Sequence, residues 1–330
     1  MTNKLSRRSF GKQLSEGALG GLAAASVAPL ARGQGVSSQS VKRMTTVARE
    51  MIKSPGMIVA PAIYDAIAAR IAEQAGFRWI DVAGSEVGEV TCITEPNLCL
   101  EDMAEALRSI TAAVNIPVTV DAGAGFGEPA HVVHTVRTLE HAGAAGMHME
   151  DQIYPKRFHY FLGVEQTIPA EAMVEKIQYA LEARRDRDFV LIARTDTMRT
   201  HSFAEGIRRA NLYAEAGADI IQLFPNTLEE ARQTPREVRA PLNYVNGLGG
   251  PGRRPVFPAK ELETMGYKLL FYTGPSLASY KAVRDVIRSL KETGTTGMDS
   301  AVYGPIAKEI QVTIGLPEYI AIENATTKKT

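Results

Sequence analysis

The stretch Glu140-His141-Ala142-Gly143-Ala144-Ala145-Gly146-Met147-His148-Met149-Glu150 contains a helix end, a glycine and a short apolar run in succession. Glycine just past a helix end adopts the left-handed conformation that terminates the helix and turns the chain into a strand. The same unit recurs as Glu73-Gln74-Ala75-Gly76-Phe77 before Trp79-Ile80-Asp81-Val82, and as Glu215-Ala216-Gly217 before Ile220-Ile221-Gln222-Leu223-Phe224. Another copy, Met265-Gly266, precedes Lys268-Leu269-Leu270-Phe271-Tyr272. The repeat predicts alternating helices and strands.

Apolar runs bounded by such signals predict a set of short strands, with helical periodicity in the gaps between them. They lie near residues 57–60, 79–83, 118–121, 147–150, 189–193, 220–224, 243–246 and 268–272. Strands that alternate with helices pair in parallel through right-handed crossovers. We therefore predict an α/β fold, a (β/α)₈ TIM barrel, with an open doubly wound sheet as the alternative. Residues 297–330 add C-terminal helices that either pack on the barrel or are swapped between subunits.

The chain has 330 residues, and its 37 Lys and Arg balance its 37 Asp and Glu. That length suits one barrel domain, which we place at residues 41–330. Because the net charge is zero, no field attracts the chain to nucleic acid or to anionic lipid. The composition therefore favours a small-molecule partner over nucleic acid.

The N-terminus carries Ser6-Arg7-Arg8-Ser9-Phe10-Gly11-Lys12, followed by a weakly apolar stretch over residues 17–30. This pattern is typical of a twin-arginine signal peptide, which we place at residues 1–35 with cleavage between 28 and 35. The apolar run is shorter than the roughly 20 residues needed to span a bilayer, so we expect no stable membrane anchor. The pattern predicts export to the periplasm. The alternative is a frayed N-terminal helix of a cytosolic protein.

Cys92 and Cys99 are the two cysteines of the chain. They cannot form a structural zinc site by themselves. They either pair in an oxidising compartment or remain free thiols near a loop, and the second alternative is favoured.

Polar residues collect at the predicted C-terminal ends of the strands, where barrel enzymes hold their active sites. They are Gly84 and Ser85 after strand two, Asp121 after strand three, Glu150 after strand four, Arg194 after strand five, Asn226 after strand six and Asn246 after strand seven. Carboxylates on neighbouring strands suit Mg²⁺, which keeps several waters and accepts substrate oxygens. Arg194 offers a planar fork for a carboxylate. The alternatives are that Asp121 caps the following turn and that Glu150 pairs with a nearby cation.

The run Gly123-Ala124-Gly125-Phe126-Gly127 follows strand three. It lacks the acidic partner and the spacing of a dinucleotide-binding fingerprint. We interpret it as a tight strand-to-helix turn.

Four motifs resemble the isocitrate lyase/phosphoenolpyruvate mutase superfamily, and the resemblance extends over residues 41–290. They are Pro61-Ala62-Ile63-Tyr64-Asp65-Ala66, Val120-Asp121-Ala122-Gly123-Ala124-Gly125-Phe126-Gly127, His148-Met149-Glu150-Asp151-Gln152 with Pro155-Lys156-Arg157, and Ala193-Arg194-Thr195-Asp196. The resemblance implies a Mg²⁺-dependent barrel, with Mn²⁺ as an alternative metal. It also implies that the chain makes or breaks a C–C or P–C bond beside a 2-oxo acid through an enolate-like intermediate. A homotetramer with a swapped C-terminal helix is implied as well.

The resemblance assigns roles to individual positions. Asp121 and Glu150 match the metal-binding acids, and Arg194 matches the arginine that binds the substrate carboxylate. Gly84 and Ser85 fall where backbone amides hold the oxo acid. Tyr64, Asn226 and Asn246 are further substrate-binding positions by this comparison.

The sequence also departs from the family pattern. Gly123 stands where the family has a second aspartate, and Asn226 where it has a glutamate. Lys156-Arg157-Phe158-His159-Tyr160 replaces a motif that contains the catalytic cysteine. The family's acid after strand two is either Glu95 or replaced by Asn97, and Ala83 replaces a serine.

A group other than cysteine must handle a proton, and His159 and Tyr160 are the candidates. The leading prediction is a Mg²⁺-dependent C–C lyase acting on a small 2-oxo or 2-hydroxy di- or tricarboxylate. The alternatives are a non-catalytic exported oxo-acid-binding protein and a P–C bond enzyme.

Overall fold

The computed structural model describes residues 42–164, 166–247 and 255–326. Its strands form a closed parallel barrel in the order β1 to β8, so the open-sheet alternative is wrong. The strands are β1 Ile58–Ile63, β2 Ile80–Val82, β3 Val118–Asp121, β4 Gly146–Glu150, β5 Val190–Arg194, β6 Ile220–Gln222, β7 Leu242–Asn246 and β8 Leu269–Tyr272. Each predicted strand overlaps one of these. The predicted (β/α)₈ barrel is therefore confirmed.

Helices precede the barrel, cover it and follow it. The first seven are α1 Met44–Lys53, α2 Ala66–Gln74, α3 Gly84–Thr91, α4 Leu100–Thr111, α5 Pro129–His141, α6 Ala170–Ala183 and α7 Thr197–Thr200. The others are α8 Phe203–Glu215, α9 Leu228–Glu237, α10 Ala259–Met265, α11 Pro275–Thr293, α12 Ser300–Thr313 and α13 Leu316–Thr326. Two 3₁₀ helices, Glu95–Asn97 and Phe158–Leu162, lie in the loops after α3 and β4.

The core has two parts, one between strands and helices and one inside the barrel. The smaller part contains Ile58, Trp79, Ile192 and Phe271, and it is contacted by apolar residues of α1. Arg49 of α1 donates to the Asp219 carboxylate at 2.8 Å and to the Phe189 carbonyl at 3.0 Å. Both partners directly precede strands, so α1 lies at the N-terminal end of the barrel. The opposite, C-terminal end is left for a site.

The glycine run after β3 is a tight turn, as the sequence predicted. The amide of Gly125 donates to the carbonyl of Ala122 at 2.8 Å, and Gly125 has φ +82°. A Cβ on Gly125 would lie 2.6 Å from Val132 Cγ2 and 2.9 Å from Met149 Sδ. Only glycine therefore allows this turn to pack so closely against α5 and β4.

Helices α12 and α13 lie in the predicted C-terminal tail, residues 297–330, and α11 is the barrel helix that leads into them. Many of their apolar side chains are exposed, among them Tyr280, Val302, Ile306 and Ile310. Thr313 of α12 donates to the side chain of Gln74 on α2 at 3.2 Å. The tail is thus attached to the barrel while a large apolar surface remains uncovered.

Cys92 and Cys99 are both free and exposed, which confirms the favoured expectation of two free thiols. The predicted signal peptide, residues 1–35, lies outside the described residues. Within the ranges that the model describes, no helix combines the length and the apolar character that a bilayer span requires.

Candidate active site

A cavity of about 180 Å³ opens among residues at the C-terminal ends of the strands. Asp121, Arg194 and Tyr160 line it, together with Ser85. The sequence predicted that the side chains of Asp121, Arg194 and Tyr160 belong to an active site, although they lie on two different strands and a loop. The barrel brings them together because the C-terminal ends of parallel strands meet at one face.

Glu150 and Arg194 form a buried ion pair between neighbouring strands. They are direct partners in the β4–β5 register, and Arg194 Nη1 lies 3.0 Å from Glu150 Oε2. Arg194 Nη2 also lies 3.0 Å from Asp196 Oδ2, and Asp196 accepts a 2.8 Å hydrogen bond from Gln152. The guanidinium is therefore fixed from two sides. The sequence alternative, that Glu150 pairs with nearby cations, is what the structure shows, and Glu150 lies behind Arg194 and Lys156 rather than among the residues that line the cavity.

Lys156 reaches the site from the loop after β4. Its ammonium lies 2.5 Å from Glu95 Oε1 and 3.1 Å from Glu150 Oε1, and it is 4.0 Å from the centre of the Tyr160 ring. Burial opposes the charge of Lys156, but Glu150 and Glu95 outweigh that effect and hold its pKa well above the usual value. Glu95, one of the two residues proposed for the family's acid after strand two, therefore lies at the cavity. Asn97, the other possibility, is exposed in the same 3₁₀ helix.

Asp121 lies at the end of β3 beside a buried histidine. Its Oδ1 accepts the Gly123 amide hydrogen bond at 2.8 Å and lies 3.7 Å from His148 Nδ1. Burial disfavours the carboxylate, but the positive charges of His148, Lys156 and Arg194 lower the pKa of Asp121. Asp121 is therefore ionised at neutral pH. It also bonds the following turn, so its capping role and its place in the cavity coexist.

His148 lies between two carboxylates inside the barrel mouth. Its Nε2 is 3.2 Å from Asp81 Oδ2, and Asp81 Oδ1 accepts a 2.7 Å hydrogen bond from Thr119. Burial disfavours the imidazolium, but Asp81 and Asp121 together raise the pKa of His148. Positive charge on His148 thus helps to keep Asp121 ionised.

The donor set fits Mg²⁺ held through few protein oxygens. A Cβ on Gly84 would lie 3.1 Å from Asp121 Oδ2, so the missing side chain leaves space beside this oxygen. Both carboxylate oxygens of Glu150 are buried and make no hydrogen bond to the described residues, although each faces a cation. Burial raises the pKa of Glu150, and a divalent cation nearby would favour its ionised form.

Water and substrate oxygens would have to supply most of the ligands. The described part of the chain contains no cluster of three or more His, Cys, Asp or Glu side chains arranged around a metal position. Gly123 accounts for one missing carboxylate, since the backbone there carries no side chain. Mg²⁺ commonly keeps several waters and uses only one or two carboxylates, so the arrangement remains suitable for it.

The two proton-transfer candidates have different surroundings. Tyr160 lines the cavity, and burial together with the charge of Glu95 raises its pKa, so that it stays protonated at neutral pH. His159 is exposed on the same 3₁₀ helix and lies outside the residues that line the cavity. The structure therefore brings Tyr160, and not His159, to the site.

The other predicted substrate positions divide in the same way. Ser85 lines the main cavity, and Gly84 lies beside Asp121. The amide of Asn246 is buried and exchanges hydrogen bonds with the backbone of Phe257, at 2.7 and 3.2 Å, so it fixes a loop. Asn226 is exposed and donates to the Met198 carbonyl at 3.0 Å, and Tyr64 packs against the core. Asn246, Asn226 and Tyr64 therefore lie outside the cavity lining.

Sequence reasoning gave no role to several residues of the site. Lys156, His148 and Asp81 belong here, as do Glu86 and Arg199, which line the cavity. Strand alternation could have indicated His148, because residues two apart on one strand share a face and His148 precedes Glu150 by two. The contact of Lys156 with Glu95 joins two loops 61 residues apart, and no local pattern signals it.

Comparison with known proteins finds relatives that match most of the chain. The family model described as phosphoenolpyruvate phosphomutase matches residues 48–291. The chain is 37% identical to a 2-methylisocitrate lyase of Aeropyrum pernix over 78% of this chain and 83% of that protein. Its fold is similar to that of a 2,3-dimethylmalate lyase crystal structure, with TM-score 0.78 and 28% identity over 87% of this chain and 96% of the other.

A phosphonopyruvate hydrolase structure in complex with oxalate and Mg²⁺ is also similar, with TM-score 0.75 and 28% identity over 87% of this chain and 100% of the other. These relatives include enzymes of C–C and of P–C bond chemistry. The family model covers most of the chain, and the fold is the barrel that these relatives share. This chain is an enzyme of the phosphoenolpyruvate phosphomutase family, within the isocitrate lyase/phosphoenolpyruvate mutase superfamily.

Proposed function

We propose that this protein is a Mg²⁺-dependent C–C lyase acting on a small 2-oxo or 2-hydroxy di- or tricarboxylate. One observation carries the proposal. The carboxylate of Asp121 and the guanidinium of Arg194 line a single small cavity at the barrel mouth. An anionic substrate can therefore meet a cation and an arginine at the same time.

Arg194 is the proposed anchor for the substrate carboxylate. Glu150 and Asp196 fix its orientation, and its planar fork suits a carboxylate geometrically. Arg199 adds a second positive charge because it also lines the cavity. Its guanidinium lies 2.7 Å from Asp196 and 4.7 Å from the centre of the Phe224 ring. A fixed anchor orients the substrate and thereby lowers the entropic part of the barrier.

Mg²⁺, or Mn²⁺ in its place, would supply Lewis-acid stabilisation of negative charge on the oxo-acid oxygens. In cleavage of a 2-hydroxy acid, the hydroxyl proton passes to a solvent water, the bond between C2 and C3 breaks, and C2 becomes the oxo carbon. The C3 carbon then takes up a proton. Tyr160 is our candidate donor for that proton, because it is protonated and lines the cavity.

The test is turnover of a panel of 2-oxo and 2-hydroxy di- and tricarboxylates with Mg²⁺, followed through release of a 2-oxo acid. We expect wild type to cleave at least one of them and Asp121→Asn to lose about 100-fold or more, because the negative charge that would hold the metal is removed. Glu105→Gln, on the exposed side of α4, serves as the matched control. Equal activity of wild type and Asp121→Asn would contradict the proposal.

A second reaction would use the same site and would be revealed by adding a phosphonate to the panel. P–C bond chemistry is supported by the similarity to a phosphonopyruvate hydrolase, and it would appear as release of phosphate from the phosphonate. The other alternative from the sequence, a non-catalytic oxo-acid-binding protein, is not retained, because the family match identifies the chain as an enzyme.

We further propose that the protein is exported to the periplasm by its twin-arginine signal, as the Arg7-Arg8 pair and the short apolar run suggest. We also propose a homotetramer in which the C-terminal helices pack against a neighbouring subunit. The exposed apolar side chains of α11 to α13 support this assembly, because monomeric proteins rarely expose a continuous surface of that kind.

A further inference from the structure

Glu86 is a buried acid at the edge of the cavity that the proposed chemistry does not use. It lies in the first turn of α3, just after β2, and only 2% of its surface is exposed. Its Oε1 accepts a hydrogen bond from the backbone amide of Gly274 at 2.7 Å. Its Oε2 is buried and has no hydrogen-bond partner among the described residues.

Ser276 adds a second unpartnered group at the same place. It lies in the first turn of α11, just after β8, and is 3% exposed. Its Oγ is buried without a hydrogen-bond partner in the described part of the chain. Ser276 and Glu86 both line the cavity. The two side chains therefore belong to one polar pocket.

The barrel order determines where this pocket lies relative to Arg194. Strands β2 and β8 flank β1, and in a closed ring of eight strands β1 is opposite β5, which ends in Arg194. A ligand whose carboxylate binds at Arg194 would therefore extend toward Glu86 and Ser276. A buried polar atom without a partner costs free energy, so such atoms are commonly satisfied by a ligand or by water.

We propose that Glu86 and Ser276 form a subsite for a second carboxylate of the substrate, remote from the oxo-acid end. The Glu86 carboxyl proton on Oε2 and the Ser276 hydroxyl would each donate a hydrogen bond to that carboxylate. The subsite thereby selects substrates of dicarboxylate length over shorter acids. It rests on the proposed function, because Arg194 and the metal must hold the other end.

The protonation of Glu86 supports this direction of donation. The pKa of Glu86 is raised to about 7. Burial is the largest cause, the charges of Glu89 and Asp81 act in the same direction, and the backbone amides of Gly274 and Ser276 oppose it. A bound carboxylate would favour the neutral form still more, since two like charges disfavour each other. Neutral Glu86 can then act as a hydrogen-bond donor in a low-dielectric pocket.

Calorimetric titration with two ligands in the presence of Mg²⁺ tests the proposal. Oxalate probes the Arg194 end alone, whereas oxaloacetate adds a second carboxylate. We expect Glu86→Leu and Ser276→Ala each to weaken oxaloacetate binding by about 10-fold or more while oxalate binding stays within about twofold. Glu86→Gln keeps a donor and the bond to Gly274, so we expect it to stay within about threefold of wild type for both ligands.

Two results would overturn the subsite. If oxalate binds wild type but Ser276→Ala and Glu86→Leu weaken both ligands equally, or neither, then the residues serve the fold only. If oxalate does not bind wild type with Mg²⁺, the proposed function fails and the subsite fails with it. Thermal unfolding of each variant, with Glu105→Gln as the control, separates loss of folding from loss of binding, and Ser276→Ala keeps the test valid if Glu86→Leu does not fold.

Discussion

Lys156 Nζ lies 3.1 Å from Glu150 Oε1, so a lysine from a loop and an acid from the end of β4 meet in the buried mouth of the barrel. Arg194 binds the other carboxylate oxygen of Glu150 at 3.0 Å, and Lys156 also binds Glu95. Glu150 therefore joins the strand ends to the loop that carries Tyr160. Through this contact, the position of the loop and the charge of the cavity depend on each other.

Removal of the Lys156 ammonium group is expected to impair catalysis strongly. In Lys156→Met, Glu150 loses one of its two cations and Glu95 loses its partner, so the buried carboxylates lack a counter-charge and the loop is released. We expect kcat/KM to fall about 100-fold or more, and stability to fall by about 3 kcal/mol. The neighbouring exposed residue gives the control, and Arg157→Met should stay within about twofold. Retention of activity in Lys156→Met would show that the contact is not required.

Tyr160 and His159 can be separated by paired substitutions. Tyr160 lines the cavity, and Tyr160→Phe removes its hydroxyl but keeps the ring beneath Lys156, so we expect kcat to fall about 100-fold with little change in KM. His159→Gln should have no more than about a twofold effect, because His159 is exposed and outside the cavity. Steady-state kinetics on the same substrate measure both, and the reverse order of effects would transfer the proton-donor role to His159.

Glu86 makes stability depend on pH in a direction opposite to an ordinary salt-bridged acid. Its pKa is raised to about 7 in the folded protein, above its value of about 4.5 in the unfolded chain. Between these values the folded state binds more protons, so the free energy of unfolding falls as pH rises. The expected loss between pH 4.5 and 7 is on the order of 3 kcal/mol.

The measurement is denaturant unfolding of metal-free wild type and Glu86→Gln at pH 5 and pH 8. Glutamine does not titrate, so the stability of wild type relative to Glu86→Gln should be greater at pH 5 than at pH 8. A difference between the two proteins that is constant, or that grows with pH, would contradict the raised pKa.

The proposed tetramer can be tested on α12. Ile306→Asp with Ile310→Asp places charges on its exposed apolar surface, and burial of these charges in an interface is costly. We expect light scattering to show a species smaller than the tetramer. Lys308→Asp is a control on the same helix, and its mass should equal that of wild type. An unchanged mass in the double variant would argue against an interface formed by α12.

Export can be tested by changing the arginine pair of the signal peptide. Conservative replacement of Arg7 and Arg8 by lysine keeps the charge but removes the arginine pair that the twin-arginine machinery recognises. We expect the periplasmic yield to fall below about a tenth of wild type, measured by fractionation and immunoblotting. An unchanged periplasmic yield would leave the signal interpretation without support.

Local sequence determined the architecture of this protein. The recurring helix-glycine-strand unit gave the strand positions, as at Gly143 before β4, because glycine at a helix end and apolar periodicity act within a few residues. The same reasoning placed Asp121, Glu150 and Arg194 at strand ends. Since parallel strand ends meet at one barrel face, their convergence followed from the fold.

Only the tertiary structure decided which polar groups share the cavity. Lys156 with Glu95, and Glu86 with Gly274, are contacts between loops far apart in sequence, and they depend on how the chain closes around the barrel. Asn246 was predicted to bind substrate, but its side-chain amide donates a hydrogen bond to the carbonyl of Phe257. Residue type and spacing specify what a side chain is able to bind, whereas long-range packing determines which partner comes within hydrogen-bonding distance.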